Sequence, residues 1–475
     1  MRSRKRQHPL GHQEEDDALF HGLKRGIVRG RPPLAAREAF PTVSDLMSGE
    51  DLAFDMRNTE GKIFLGLVAG TMKVDEGTLA AHGGHLIGVR DDRHFMIVAG
   101  SRAGKGRSML LPILATWPGS VIVVDPKLDL AAETATLRAR HLGQRVQVLD
   151  PFGASGPGCE AFRAAGNPLS YSLGTDDDAL LDLAMLIADG LVVMQGGNDP
   201  HWDESARMFI EGVVLHVMTW PQYEGRRTLG TVHKLLIEAV EDGDEEEGVL
   251  PTLEREMCEN EAIGGAVQAA AIAYYDRHER ERGSVLSTIR RHLHFLTYPK
   301  IRAALADGAV DTRTFHETPT SLYLGLPATK MRSCTGLPRL FINMALAAFE
   351  ANTARRDFQH QAGRYPCLLI MDEFLSLGRM ERIEAAAGQV AGFGVKLCPV
   401  LQDLSQLKSL YPKSWETFTG NCGLISFFGN TDLTTLEFLE KRLGRTEVRS
   451  TSQAETSYDS AIKEGATGTS YSFTT

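Results

Sequence analysis

Short, continuously apolar runs alternate with longer amphipathic stretches in two separate parts of this chain. The first part holds three such runs, each bounded by turn-forming residues: "HFMIVAG" (residues 94–100), "SVIVVD" (120–125) and "RVQVLD" (145–150). Because these runs are continuously apolar and do not alternate with polar residues, they predict strands that are buried on both faces. Strands separated by helical stretches predict parallel pairing through crossover helices. The sequence therefore predicts an α/β fold with a mainly parallel sheet.

The middle of the chain follows a helical pattern instead. From about residue 176 to residue 295, apolar residues recur at helical spacing and strand-like runs are nearly absent. One predicted helix carries an apolar stripe formed by Ala206, Phe209, Ile210, Val213, Val214 and Val217. We therefore expect an all-α domain inserted into the α/β domain.

Strand-like runs return at residues 320–327, 366–374, 395–403 and 423–430. The expected boundaries follow from these changes of pattern. The expected segments are a polar N-terminal arm (1–58), the first part of the α/β domain (59–172), the all-α domain (173–312), the second part of the α/β domain (313–448), and a flexible tail rich in Ser and Thr (449–475).

The composition is ordinary for a soluble globular protein. Of the 475 residues, 43% are hydrophobic and 24% are charged, and the net charge of −10 excludes a uniformly basic nucleic-acid binder. The six cysteines form no C-x-x-C pair and no zinc-spaced cluster with histidine, which favours a reducing compartment. No apolar run reaches the ~18–20 residues of a membrane-spanning helix, and the first residues lack a signal-peptide pattern.

The stretch "VAGSRAGKGRS" (98–108) places a glycine-rich turn between a predicted strand and a predicted helix. It is similar to the phosphate-binding pattern G-x-x-x-x-G-K-[ST], although Ala99 stands at the first glycine and Gly106 at the hydroxyl position. Backbone N–H groups of such a turn can surround phosphate oxygens, with Lys105 reaching the terminal phosphates. A purely structural glycine turn is the alternative. The predicted phosphate-binding residues are Gly100, Ser101, Arg102, Ala103, Gly104, Lys105, Gly106 and Arg107.

A pair of acids follows the apolar run "CLLIM". At the carboxyl end of a buried strand, Asp372 would bind Mg²⁺ and Glu373 would orient the attacking water. Gln402 follows the next apolar run and is a candidate sensor of the γ-phosphate or of that water. Surface acids at a strand end and a polar strand cap are the alternatives for each motif alone. Together, and in this order, they predict a site for a nucleotide with Mg²⁺.

The chain resembles the TraG-type coupling proteins of conjugation and type IV secretion, which are similar to RecA-like and FtsK-like motor ATPases. The matching phrases occur in the family order from about residue 60 to 450. They include "SRAGKG", "VIVVDPKLDL", "NPLS", "HWDESARMFIEG", "LLIMDEFLSLGRME", "GFGVKL" and "LQDLSQLKSLYPKSWETFTGNCGLISFFGNTD". The glycine after the loop lysine is usual in this family, so Gly106 fits the pattern, whereas Ala99 departs from it.

This resemblance implies a RecA-like P-loop nucleotide-binding domain, interrupted by an all-α domain and assembled as a homo-hexamer around a channel. It implies ATP hydrolysis that moves relaxase-bound single-stranded DNA, or protein substrates, towards secretion-channel proteins at the inner membrane. Lys105, Gln402 and the acid pair take the roles given above, while Asp125 and Lys127 match the motif without an assigned role. Candidates for an arginine supplied to a neighbouring subunit are Arg442 and Arg445, for which a solvent-exposed position on the surface is the alternative.

Family members commonly begin with membrane-spanning helices, which this sequence lacks. We therefore expect a cytoplasmic protein held peripherally at the inner membrane by a partner, or a shortened copy. Two alternatives remain open for its function: a non-hydrolysing receptor that docks substrates, and a FtsK-like or HerA-like translocase of double-stranded DNA. DNA passage needs a local basic surface, for which the arginines of the helical region are candidates, namely Arg277, Arg280, Arg282, Arg290 and Arg291. The alternative is simple pairing on the helix surface with the interleaved acids Asp276, Glu279 and Glu281.

Overall fold

The computed structural model describes residues 52–68, 71–75, 78–82, 85–171, 176–193, 200–237, 249–308, 310–351, 365–389 and 394–444. Most of the expected N-terminal arm and all of the expected tail lie outside these ranges. The expected domain boundaries stay predictions. Within the described residues, no helix is both long and apolar enough to cross a membrane.

A seven-stranded parallel sheet forms the centre of the fold, as the apolar runs predict. Its strands are β5 (His94–Ala99), β6 (Val121–Asp125), β7 (Arg145–Leu149), β8 (Thr320–Gly325), β9 (Cys367–Met371), β10 (Val395–Leu401) and β11 (Cys422–Phe428). The spatial order is β11-β5-β10-β9-β6-β8-β7, and each neighbouring pair is parallel. Every residue of β5, β6, β8, β9 and β10 is buried, which explains their continuously apolar runs.

Four short antiparallel strands precede this sheet in the chain. β1 (Ile63–Val68) pairs with β4 (His85–Val89), and β2 (Thr71–Asp75) pairs with β3 (Thr78–His82). Phe54 and Phe64 join the same apolar cluster as β5 and β6. β1 and the residues just before it therefore add to the apolar core of the central sheet.

The first two helices connect strands of the central sheet. One π-helical turn (Gly106–Leu110) leads into α1 (Leu111–Thr116) after β5, and α2 (Asp129–Arg140) connects β6 to β7. Arg138 of α2 is fully buried and donates hydrogen bonds to the carbonyl oxygens of Trp117 and Gly119, in the segment that joins α1 to β6. This buried guanidinium fixes the helix that follows the glycine-rich turn.

A run of helices occupies the chain between β7 and β8. They are α3 (Asp177–Leu191), α4 (Pro200–Thr219), α5 (Leu229–Leu236), α6 (Val249–Glu259), α7 (Ala262–Tyr275), α8 (Glu279–Leu293) and α9 (Pro299–Ala304). The remaining helices are α10 (Ala328–Met331), α11 (Gly336–Ala351), α12 (Glu381–Gln389), α13 (Leu404–Leu410), α14 (Trp415–Gly420) and α15 (Leu433–Leu443).

Helix α3 packs closely on α11, which returns the helical region to the sheet. A Cβ atom at Gly190 would lie 2.8 Å from Leu340 Cα, so the two backbones approach directly. Arg339 is buried at this contact and donates to the carbonyl oxygens of Leu377 (3.0 Å), Arg379 (2.8 Å) and Val192 (3.3 Å). One guanidinium thus joins the end of α3 to the segment that follows β9.

Residue contacts divide the chain into two units, residues 54–432 and residues 1–53 with 433–475. The first unit contains the sheet and the helices α1 to α14. In the second unit the structure describes little beyond α15, on which the Arg442 guanidinium lies 5.6 Å from the centre of the Phe438 ring.

Candidate nucleotide site

The carboxyl edge of the sheet brings four separate segments side by side. The glycine-rich turn follows β5, Gln402 follows β10, Asp372 follows β9, and Asp125 ends β6. These four strands are consecutive neighbours in the sheet. Because parallel strands end at one edge, residues more than 300 positions apart in the chain meet there. This edge, at the carboxyl ends of the strands, is where ligands bind in open α/β sheets.

The turn after β5 has a tightly folded backbone. Arg102 and Gly104 adopt positive φ angles of 61° and 90°. The Ala103 N–H donates to the Gly100 carbonyl (3.1 Å), and the Ser108 N–H donates to the Gly104 carbonyl (2.9 Å). A positive φ is costly for arginine, and such strain is concentrated at ligand-binding and catalytic sites. The turn is therefore held in one conformation by the surrounding structure.

Gly100 meets a second backbone at the start of this turn. A Cβ atom there would lie 1.9 Å from the carbonyl oxygen of Gly429, which follows β11. The Gly100 N–H also donates to the Phe428 carbonyl (3.1 Å). Ala99, where the phosphate-binding pattern has its first glycine, is the fully buried last residue of β5. Glycine is thus required at position 100, one residue after the first glycine of the phosphate-binding pattern.

We predict that Gly100→Ala is strongly destabilising. The added methyl group would force apart two strands of the central sheet, and overpacking of this kind costs roughly 1–3 kcal/mol or more. Gly106→Ala is the matched control, because a Cβ atom at Gly106 meets nothing within 4 Å. Thermal unfolding should show a clear drop in Tm for the first variant and almost none for the second. Equal Tm values would show that the turn moves freely away from β11.

Lys105 lies between the two predicted acids. Its Nζ atom is 2.8 Å from Asp372 Oδ1 and 3.1 Å from Glu373 Oε1. Gln402 donates through Nε2 to Glu373 Oε2 (3.2 Å). Glu373 has a positive φ of 54°, a second strained backbone position at this edge. The structure therefore brings together the lysine, the acid pair and the glutamine that the sequence selects.

Charge pairing outweighs burial in this cluster. Burial lowers the pKa of Lys105, but the charges and hydrogen bonds of Asp372 and Glu373 more than offset it, so this pKa is raised. Burial likewise raises the pKa of Glu373, but Lys105 and the hydrogen bond from Gln402 outweigh it, so this pKa is lowered. Lys105 and Glu373 are therefore both charged at neutral pH.

Asp125 is a further carboxyl at the same edge, whose role the sequence leaves unassigned. Burial raises the pKa of Asp125 to about 7, against a hydrogen bond from the Ala131 N–H to Oδ2 (2.8 Å). The negative charge of Asp372 raises this pKa further. The Asp125 carboxylate thus caps the first turn of α2. Lys127, two residues further along the chain, carries a charge that helps to lower the pKa of Glu373.

These residues surround a cavity of about 350 Å³. It is lined by every predicted phosphate-binding residue except Ala103, by the acid pair and Gln402, and also by Asp125, Lys127 and Asp129. Ala103 points towards Gly429 instead, where an added Cβ atom would lie 2.7 Å from the Ala103 Cβ. The cavity thus combines backbone amides, cations and carboxylates, as a nucleotide phosphate site requires.

The acid pair suits Mg²⁺ that arrives with a nucleotide. Among the described residues, no group of three His, Cys, Asp or Glu side chains could hold a metal ion. Mg²⁺ needs no such group, because it typically takes one or two carboxylates together with substrate phosphates and water. The Asp372 carboxylate beside Lys105 fits this donor set.

Other candidate residues lie elsewhere. Arg442 is on α15, and Arg445 lies outside the described residues. Two of the candidate DNA-contacting arginines pair with residues of α4. Arg291 of α8 places Nη2 2.5 Å from Asp203 Oδ1, and Arg277, in the turn before α8, donates through Nη1 to Ser205 Oγ (3.0 Å). The motifs did not point to Asp129, which lines the cavity, or to Gly429, whose only signal is a Gly-Asn pair after an apolar run.

The parallel sheet and the segments at its carboxyl edge define an α/β protein with a RecA-like domain. The chain belongs to the family described as "Type IV secretory system Conjugative DNA transfer", whose model matches residues 49–473. Membership in this family confirms the resemblance to TraG-type coupling proteins that the sequence motifs carry.

Named relatives agree with this assignment. Two proteins called "Conjugal transfer protein TraG" from Escherichia coli are 29% and 30% identical over 77% and 75% of this chain. "Protein VirD4" from Agrobacterium fabrum is 24% identical over 76% of the chain. The chain spans only 57%, 55% and 51% of the lengths of these three relatives.

Solved structures show the same fold. The plasmid coupling protein TrwB in complex with the non-hydrolysable ATP analogue ADPNP matches with a TM-score of 0.55 and 15% identity, over 81% of this chain and 85% of that chain. TrwB in complex with ADP and Mg²⁺ matches with a TM-score of 0.53 and 16% identity, over 75% of this chain and 76% of that chain. At these identities the match establishes the fold.

Proposed function

We propose that this protein is an ATPase that couples hydrolysis to the transfer of single-stranded DNA with its relaxase, or of protein substrates, to a type IV secretion channel. The observation that carries the proposal is the position of Lys105 Nζ, 2.8 Å from Asp372 and 3.1 Å from Glu373, beside a glycine-rich turn at the sheet edge. Family membership and the nucleotide-bound TrwB structures support it.

In the proposed mechanism, the free site holds Lys105 on the two carboxylates. An incoming triphosphate offers Lys105 a more highly charged partner, while the backbone amides of residues 100–107 surround the phosphate oxygens. Bound Mg²⁺ would be held by Asp372 and phosphate oxygens and would neutralise phosphate charge. Glu373, released from Lys105 but still held by Gln402, is then free to orient the attacking water.

We further propose that the active form is a homo-hexamer at the cytoplasmic face of the inner membrane, where secretion-channel proteins would receive the substrate. Ring assembly gives an acidic chain a way to concentrate its basic side chains in a channel. Arg442 and Arg445 remain candidates for completing the site of a neighbouring subunit.

Phosphate release from ATP by the purified chain tests the proposal. We expect turnover that requires Mg²⁺ and increases with single-stranded DNA, together with DNA binding that weakens as salt rises, as phosphate contacts demand. Nucleotide binding without phosphate release under any of these conditions would favour the substrate-docking receptor instead. Stimulation by double-stranded DNA alone would favour a duplex translocase.

A further inference from the structure

The segment after the edge strand β11 contacts the candidate site at two places, the glycine-rich turn after β5 and the end of β10. Phe428 pairs with Ala99 in the sheet. The next residue, Gly429, is in close backbone contact with Gly100 at the start of the glycine-rich turn. Gly429 has a positive φ of 64°, so the chain turns sharply at this contact. We call Gly429 and Asn430 the β11 turn.

Asn430 of the β11 turn reaches across β5 to the end of β10. Its Nδ2 atom donates a hydrogen bond to the carbonyl oxygen of Gln402 at 3.0 Å. In the sheet, β5 lies between β11 and β10, so this bond passes over the strand that carries the glycine-rich turn. Gln402 in turn donates to Glu373, which contacts Lys105.

The geometry points to Asn430 as a positioning residue for hydrolysis. We infer that its amide fixes the backbone of Gln402, and that Gln402 then aims Glu373 at the attacking water. This inference rests on the proposed ATPase function. Asn430 does not line the cavity, so it would act on turnover through Gln402 and leave nucleotide binding nearly unchanged.

One atom of the Asn430 amide does not contribute to the stability of the fold. Within the described part of the chain, Asn430 Oδ1 is buried and has no hydrogen-bond partner. An unsatisfied buried acceptor costs stability. The side chain of Asn430 thus directs its donor to the sensor glutamine, which supports a role in placing Gln402.

A double-mutant cycle on the full chain tests this inference. ATP turnover with Mg²⁺ and single-stranded DNA is measured for wild type, Asn430→Ala, Gln402→Ala and the double variant, with Tm recorded for each. We expect Asn430→Ala to lower kcat by about 3- to 10-fold, the effect of one hydrogen bond, with KM within about twofold of wild type. The double variant should have the kcat of Gln402→Ala alone, because Asn430 acts through Gln402.

Asn421→Ala is the matched control, since Asn421 also donates its side-chain N–H to a backbone carbonyl (Thr417, 3.0 Å) but lies at the opposite end of β11. It should keep wild-type kcat. If Asn430→Ala does not fold, Asn430→Asp, which keeps the side-chain volume but loses the donor, takes its place. Two results would overturn the inference and leave the proposed function intact. One is an unchanged kcat in the Asn430 variant, and the other is a kcat in the double variant that falls by the product of the two single effects. A wild-type chain without turnover would reject the proposed function, and with it the inference.

Discussion

Glu373→Gln should lower ATP turnover by roughly 10²- to 10⁴-fold, the usual contribution of a group that accepts or directs the proton of a nucleophile. Glutamine keeps the shape of the side chain but cannot accept a proton from water. Because the substitution also removes one of the two carboxylates that hold Lys105, the lysine should be freed more easily for phosphate. We therefore expect nucleotide affinity to be equal to that of wild type or higher.

Phosphate release and a titration with a fluorescent ATP analogue measure these two effects separately. Glu384→Gln is the matched control, because Glu384 also pairs with a cation, Arg379 at 3.0 Å, but belongs to α12 and does not line the cavity. It should retain turnover within a few-fold of wild type. Loss of turnover in both variants would indicate general damage. Full turnover in Glu373→Gln would exclude Glu373 as the residue that orients water.

Lys105→Ala should weaken binding of the ATP analogue by roughly 10- to 100-fold, since a hydrogen bond to a charged group is worth about 1.5–3 kcal/mol. Turnover should fall with it, because the terminal phosphates lose their principal cation. Lys330→Ala is the control: Lys330 Nζ bonds to the Tyr298 hydroxyl at 3.0 Å, away from the cavity. Equal affinity in wild type and Lys105→Ala would place the phosphates elsewhere.

The loss of stability in Lys105→Ala should also depend on pH. In wild type, Lys105 helps to lower the pKa of Glu373, so their pairing stabilises the fold above the ordinary pKa of a glutamate and is lost as pH falls through the lowered value. Without Lys105, two carboxylates face each other, and burial raises the Glu373 pKa. The free energy of unfolding lost in Lys105→Ala should therefore be larger at pH 7.5 than at pH 5. Denaturant unfolding at both pH values measures this difference.

Local pattern was enough to find the strands and the chemical groups of the site. Continuously apolar runs marked β5, β6, β9 and β10 because these strands are buried on both faces. Lys105 and the acid pair were identified because each follows such a run. The sequence thus predicted both the fold class and the residues that meet at the sheet edge.

The order of the strands was not predictable in the same way. The proximity of Gly100 and Gly429 depends on β11 pairing with β5 at the edge of the sheet, and periodicity along the chain contains no information about such long-range pairing. Local rules also favour glycine or asparagine at positive φ, yet Arg102 and Glu373 adopt it. Tertiary contacts impose these conformations, so they become visible only in the folded chain.

Burial explains why the raised pKa of Asp125 could not be predicted from the sequence. A sequence shows that Asp125 ends an apolar run, but its raised pKa depends on how completely the side chain is enclosed and on the nearby charge of Asp372. These are properties of the packed sheet edge. Asp125 could therefore be noted from its motif but not given a role.

A structure of the full chain with Mg²⁺ and a non-hydrolysable ATP analogue is the most direct test of nucleotide binding at this sheet edge. We expect the β- and γ-phosphates to lie within residues 100–107, with Lys105 Nζ moved from Asp372 to a phosphate oxygen and Glu373 facing the γ-phosphate. A nucleotide bound away from this turn, or phosphates bound there while Lys105 stays on the two carboxylates, would contradict it.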